Sequence, residues 1–337
     1  MKIANRKPAG QPEEGIRRAP GKAEIAAARA RLAGRLRTTP VLAPGELQAR
    51  LGARIALKCE QFQVTGAFKA RGAMNAVSSL GGGERERGVA THSSGNHGAA
   101  LAWAARTAGV RATIVVPENA VASKRAAIRR FGGEIVDCGP AQTDREAALA
   151  EVVARAGATV VHPYDDARVI AGQATATIEF LEAEPRLRRL LVPVGGGGLA
   201  TGAILAARWL RREVEIIGVE PAGADDTRRS LAAGERVALE RVDTLADGLR
   251  AQVGVATFPV LREGLSDLVT VADAEILAAM RWAFETMKLV IEPSAATVLA
   301  ALLAGKAAAG PAPTGAILSG GNIDFSGEAW QRMRALP

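Results

Sequence analysis

Lys69 stands in the octapeptide Thr65-Gly66-Ala67-Phe68-Lys69-Ala70-Arg71-Gly72. Apolar residues at Ala70, Ala73, Met74, Val77 and Leu80 follow at helical spacing. Thr65 and Gly66 suit a cap just ahead of that helix. Lys69 therefore falls near a helix N-terminus, where the backbone dipole disfavours a cation by roughly 0.3–1 kcal/mol. A lysine with lowered proton affinity offers a neutral amine, and a neutral amine forms Schiff bases. A lysine that snorkels to water fits the same letters. The octapeptide alone does not separate these two readings.

Four other loops carry chemistry. Gly195-Gly196-Gly197-Gly198 follows a strand pattern and precedes a helix pattern, so its amides and the helix dipole suit a phosphate. The same window, Gly195-x-Gly197-x-x-Ala200 with Glu220 after the next strand, also reads as a loose dinucleotide fingerprint. That reading implies a nicotinamide-dependent oxidoreductase and leaves Lys69 without a role. Thr91-His92-Ser93-Ser94-Gly95-Asn96-His97-Gly98 opens an alanine-rich helix with hydroxyls, an amide and free N–H groups, a combination that holds a carboxylate. His92 and His97 are not the i, i+4 pair of a helical zinc site. Ser319-Gly320-Gly321-Asn322 lets backbone approach a flat ligand and offers one hydroxyl. Glu220, Asp225 and Asp226 lie close together, as hard-cation ligands or as a solvated acidic loop.

The elements that must position these loops alternate. Strand patterns at 55–60, 112–116, 134–138, 158–161, 190–194, 215–219 and 316–319 are separated by helical patterns at 123–131, 143–156, 169–182, 199–210, 273–288 and 294–303. Regular βαβ alternation predicts an α/β fold of open, mostly parallel sheets flanked by helices, with ligand loops at the strand ends. Gly81-Gly82-Gly83 reads as a turn. The expected division is a loose tail at 1–22, a large domain from 23–79 and 166–337, and a small αβ domain at 80–165.

Composition narrows the class. A content of 48% apolar and 23% charged residues specifies an ordinary globular protein. The net charge of +8 permits anionic partners or a noncatalytic basic binding protein, but acids and bases alternate along the chain. With 4% aromatics there is little to stack on bases, so no nucleic-acid partner is expected. Two cysteines define no disulfide framework, and no apolar run reaches the ~18 residues of a membrane span. The expected compartment is the cytoplasm, with no membrane partner.

Taken together and in this order, the Lys69 segment, the 91–98 loop, the glycine loop, Ala246-Asp247-Gly248, the 288–293 segment and the Ser319 turn resemble the pyridoxal 5'-phosphate (PLP)-dependent serine/threonine dehydratase and serine racemase family. The likeness covers about residues 25–330. It is nearest to serine racemase and 3-hydroxyaspartate dehydratase. The resemblance implies PLP fold type II, with PLP in the cleft between a large and a small domain. It implies that Lys69 forms the Schiff base, Phe68 packs beside the ring and Asn96 meets the ring hydroxyl. The amides of Gly195, Gly196, Gly197, Gly198 and Leu199 would hold the phosphate, and Ser319 would face the pyridine nitrogen. Ser93, Ser94, Asn96 and His97 would hold the substrate carboxylate. Ser94 would act from the face opposite Lys69 in a racemase. Glu220, the Ala224 carbonyl and Asp226 match a divalent-metal site (Mg, Ca or Mn). Arg145 aligns with an arginine that meets a second carboxylate, and is equally readable as a surface arginine. Ala251 stands where racemases carry a substrate-contacting serine. The implied activity is elimination of the β-hydroxyl of serine, threonine or 3-hydroxyaspartate to a keto acid and ammonia, by a homodimeric enzyme of amino-acid metabolism; racemisation by Lys69 and Ser94 is the alternative.

Overall fold

A computed structural model describes residues 17–307, 309–310 and 312–336. Among these, the strands are β1 (Val41–Leu42), β2 (Ile55–Cys59), β3 (Val89–His92), β4 (Ala112–Pro117), β5 (Glu134–Cys138), β6 (Thr159–Val160), β7 (Arg189–Pro193), β8 (Glu215–Pro221), β9 (Asp267–Val271) and β10 (Thr314–Leu318). They form a six-stranded sheet of order β1-β2-β10-β7-β8-β9 and a four-stranded sheet of order β5-β4-β3-β6. Every pairing is parallel except β1 with β2. This is the α/β architecture that the alternation predicts.

Parallel strands covered by helices on both faces are apolar throughout rather than alternating. β2 and β10 are buried at every position. On one face of the larger sheet Leu57, Val219 and Leu318 pack with Ile276 and Leu299. On the other, Leu190, Val192 and Ile317 pack with Phe180 and Leu199. No helix among the described residues is long and apolar enough to cross a membrane.

The structure departs from the sequence reading in three places. A helix, Lys22–Leu32, begins inside the segment expected to be a loose tail, and only Ile25, Ala28 and Leu32 of it are buried. Just before it, Arg17 Nε lies 3.0 Å from Asp165 Oδ2, which ties down the end of that segment. Residues 1–16 lie outside the described residues. Gly81-Gly82-Gly83 is not a turn: Glu84 accepts the Gly81 amide at 2.8 Å and starts the helix Gly82–Arg87. Strands β3 and β9 were not expected. β9 is a half-buried edge strand of only five residues, and β3 runs directly into the 91–98 loop.

Candidate active site

Lys69 is the first residue of the helix Lys69–Ser78, with Phe68 at the N-cap. The cap expected at Thr65 and Gly66 lies too early. Gly66 has φ of 74°, and Ala67 bridges to Gly320, so the chain stays out of the helix until Phe68. The Lys69 and Ser319 loops are zipped together: the Phe68 amide donates to the Ser319 carbonyl at 3.0 Å and the Gly321 amide to the Gly66 carbonyl at 2.9 Å. A Cβ on Gly66 would stand 2.3 Å from Asn322 Oδ1. Glycine is thus required there for both conformation and space.

Lys69 Nζ donates to the Pro163 carbonyl at 2.8 Å and lies 5.0 Å from the Phe68 ring centroid. Burial lowers its pKa to about 8, against an opposing pull from Glu292. Glu292 is the N-cap of the helix Pro293–Leu303 and is buried. Burial, reinforced by the charge of Asp247, pushes its pKa up to about 8. An amine and a carboxyl of matched proton affinity in one enclosed site suit acid–base work near neutral pH. Asn96 Nδ2 donates to the Glu292 oxygens at 2.8 and 3.1 Å, and its Oδ1 accepts from Asn322 Nδ2 at 2.9 Å.

The glycine loop has the form of an anion cradle. Its carbonyls are bonded away from it: Gly196 O accepts from Thr257 Oγ1 at 2.8 Å and from the Gly254 amide at 3.2 Å, and Gly197 O accepts from the Thr201 amide at 2.8 Å. The amides of Gly195, Gly196 and Gly197 meet no acceptor among the described residues. Gly198 and Leu199 open the helix Gly198–Trp209, where the first amides have no intrahelical partner. The Tyr164 ring rests against the loop, and a Cβ on Gly196 would collide with it. Five free amides at a helix start fit a phosphate.

The 91–98 loop leads from β3 into the helix Asn96–Thr107. Ser93 and Ser94 are partly buried in the turn. The His97 imidazole is buried, with Nε2 3.0 Å from the Val161 carbonyl and Nδ1 without a hydrogen-bond partner among the described residues. Its backbone amide lies in the first turn of that helix, where it has no intrahelical partner. The chain's three histidines gather here. His92 and His162 ring centroids are 6.3 Å apart, and burial drops the pKa of His97 and of His162 to about 3. They are neutral, and no group of three metal-ligating side chains occurs among the described residues. Arg145, on the helix Gln142–Ala156, donates through Nη2 to the Pro140 carbonyl at 3.0 Å, while its Nε is buried without a partner. Burial lowers the pKa of His92 in that loop, with the nearby Glu146 charge opposing and the Arg145 charge adding to the lowering.

Glu220 and Asp226 are both buried. Burial, with each carboxylate's neighbours adding charge, raises Glu220 to about 8 and Asp226 to about 6. Glu220 accepts the amides of Thr227 and Arg228 at 3.1 and 3.0 Å. A ribose ligand after the glycine loop, as the dinucleotide reading needs, is therefore not what Glu220 offers.

Glu292, the Pro163 carbonyl and Tyr164 were not found from the sequence. A carbonyl leaves no sequence signal at all. Glu292 had one: a glutamate immediately before a proline at a helix start.

Free amides for a phosphate, a lysine with depressed pKa, an aromatic beside it and a serine held against its loop make a donor set that fits PLP. The family profile described as "Pyridoxal-phosphate dependent enzyme" matches residues 32–320. The chain is 41% identical over 314 residues to a serine racemase of Oryza sativa subsp. japonica, covering 92% of each. It is 44% identical over 288 residues to an L-threo-3-hydroxyaspartate ammonia-lyase of Saccharomyces cerevisiae, covering 85% of this chain and 88% of that one. The solved structure of maize serine racemase superposes with a TM-score of 0.89 at 40% identity, covering 94% of this chain and 97% of that one. The chain belongs to the PLP-dependent enzyme family, with fold type II. It is a carbon–oxygen lyase of the serine/threonine dehydratase type, acting on β-hydroxy amino acids.

Proposed function

We propose that the preferred substrate is a β-hydroxy amino dicarboxylate, 3-hydroxyaspartate, eliminated to oxaloacetate and ammonia. The observation that carries this is Arg145: a guanidinium with a buried, unpartnered Nε beside the loop that holds the α-carboxylate. A planar fork of donors suits a second carboxylate. The relatives named 3-hydroxyaspartate ammonia-lyase support the same choice.

PLP, when bound, supplies the electron sink for the Cα carbanion. Gly195, Gly196, Gly197, Gly198 and Leu199 anchor its phosphate, and Phe68, Asn96 and Ser319 surround its ring. The amides of the helix Asn96–Thr107, with Ser93 and Ser94, hold the substrate α-carboxylate. The neutral amine of Lys69 takes the Cα proton. The β-carbon–oxygen bond then breaks, the proton held by Lys69 passes to the departing hydroxyl so that it leaves as water, and the released enamine hydrolyses to the keto acid and ammonia.

The test is keto-acid release from 3-hydroxyaspartate, serine, threonine and phenylserine, L and D, with and without Mg²⁺. In Arg145→Met, kcat/KM for 3-hydroxyaspartate falls about 10- to 100-fold, the loss of a charge-assisted hydrogen bond. That for serine changes less than about threefold, because serine has no second carboxylate for the lost donor. Equal losses on both substrates rule out the dicarboxylate assignment.

Ser94 supports a minor racemase activity, as in the relatives named serine racemase. Ser94→Ala removes racemisation of L-serine and keeps its elimination; persisting racemisation shows that another group delivers the second proton. A divalent cation at Glu220, the Ala224 carbonyl and Asp226 completes the reading. Two buried carboxylates, each held above its ordinary proton affinity by burial, suit a hard ion. We also read the enzyme as a cytoplasmic homodimer. Both of its cysteines are buried free thiols, and Phe62, Val290 and Phe325 are exposed.

A further inference from the structure

We propose that Asp165, acting through residues 253–257, is a positioning residue for the phosphate cradle. This rests on the PLP reading of the glycine loop.

Four consecutive glycines have no side chains with which to hold their own shape, and Gly197 has φ of 88°. Something outside the loop must keep its carbonyls turned out so that its amides face in. Residues 253–257 do this. Thr257 Oγ1 donates to Gly196 O at 2.8 Å, and the Gly254 amide donates to the same oxygen at 3.2 Å. The Gly254 amide also lies 2.9 Å from Thr257 Oγ1.

That segment is itself held by Asp165. Its Oδ1 accepts the Ala256 amide at 2.7 Å and its Oδ2 the Val255 amide at 3.2 Å. Arg17 completes the carboxylate, with Nε and Nη2 each 3.0 Å from Oδ2. Asp165 is 1% exposed, and its bond to the Ala256 amide is fully buried, while those to Val255 and Arg17 are partly buried. The fit is close: a Cβ on Gly254 would stand 2.5 Å from Asp165 Oδ1.

Asp165 also reaches the lysine side. Its own amide donates to His162 Nδ1 at 2.9 Å, closing the turn whose Pro163 carbonyl accepts Lys69 Nζ. One carboxylate thus sets the back of the phosphate cradle and the turn that receives the amine. A simple cap for the helix Thr257–Gly264 explains the two amide bonds. It does not explain why the capped segment also grips Gly196.

The test compares Thr257→Val, Asp165→Asn and Asp165→Ala with wild type. PLP dissociation constants come from titration of apo-protein at ~410–420 nm, where a lysine–PLP adduct absorbs. Apo melting temperatures come from circular dichroism, and inorganic phosphate is titrated as a competitor of PLP. Thr257→Val keeps the shape but removes both bonds of the hydroxyl, the one it donates to Gly196 O and the one it accepts from the Gly254 amide, and weakens PLP and phosphate binding roughly three- to tenfold. Asp165→Ala weakens both by more, and Asp165→Asn, which keeps an acceptor for Ala256, lies between. If Asp165→Ala does not fold, Thr257→Val alone decides. Wild-type dissociation constants in Thr257→Val and Asp165→Asn, with only the melting temperature lowered, overturn the assignment and leave Asp165 a helix cap. A wild-type chain that takes up no PLP overturns both this assignment and the cofactor reading beneath it.

Discussion

Lys69→Ala lowers keto-acid release by about 10⁴-fold or more, since it removes both the nucleophile that holds PLP and the base that takes the Cα proton. The assay is keto-acid formation under saturating PLP, and activity above about a hundredth of wild type refutes the role. The variant also lacks the ~410–420 nm band that borohydride bleaches in wild type. The pKa of Lys69 gives this a pH signature. Burial brings the amine from an ordinary 10.5 to about 8, so capture of PLP by apo-protein rises with pH and is half-maximal near 8. Stability follows the same sign. Between about 8 and 10.5 the unfolded chain holds a proton that the folded chain has released. Apo-protein stability therefore gains with rising pH across that window, and the cost of charging the buried amine is fully present below it.

Arg71→Met destabilises the protein by about 3–5 kcal/mol, the usual cost of leaving buried charges uncompensated. Arg71 is 1% exposed, two residues past Lys69 on the same helix. Its Nε and Nη2 donate to Glu60 at 2.7 and 2.9 Å, and its Nη1 and Nη2 donate to Glu179 at 2.6 and 2.8 Å. Lys58 Nζ adds a bond to Glu179 at 2.7 Å, and Thr39 Oγ1 one to Glu60 at 2.5 Å. Removing the guanidinium strands Glu60, which is fully buried, and half-strands Glu179. The measurement is apo-protein urea unfolding. Adding Glu60→Gln and Glu179→Gln to the variant recovers part of the loss, because neutral amides tolerate burial better than carboxylates. A triple variant no more stable than Arg71→Met counts against stranded charge as the cause.

The chemistry of the site was legible in the sequence where it depended on residue type in a short window. Lys69 near a helix start, four glycines between strand and helix, and the 91–98 loop all declare themselves locally, and the structure zips the Lys69 segment to the Ser319 turn. The βαβ alternation likewise gave the parallel sheets, because strands buried on both faces are apolar without interruption. What stayed hidden depended on direction or on distant partners. Nothing in the 91–98 loop says that the His97 imidazole turns inward toward Val161. Arg145 was readable as an arginine on a helix, not as one with a buried Nε. The burial of Arg71 and Lys58 carries no local signal, since the carboxylates that make it tolerable include one more than a hundred residues away.

Residues 253 and 254 face two ways. The Val253 amide donates to Asp226 Oδ2 at 2.7 Å, and the next amide, Gly254, donates to the glycine loop. An ion held at Asp226 and a phosphate held at Gly196 would therefore share two consecutive peptide units as their common wall. Thermodynamic reciprocity would then apply: whatever factor the ion adds to the grip on the phosphate, the phosphate returns to the grip on the ion. Loss of either ligand would loosen the hold on the other.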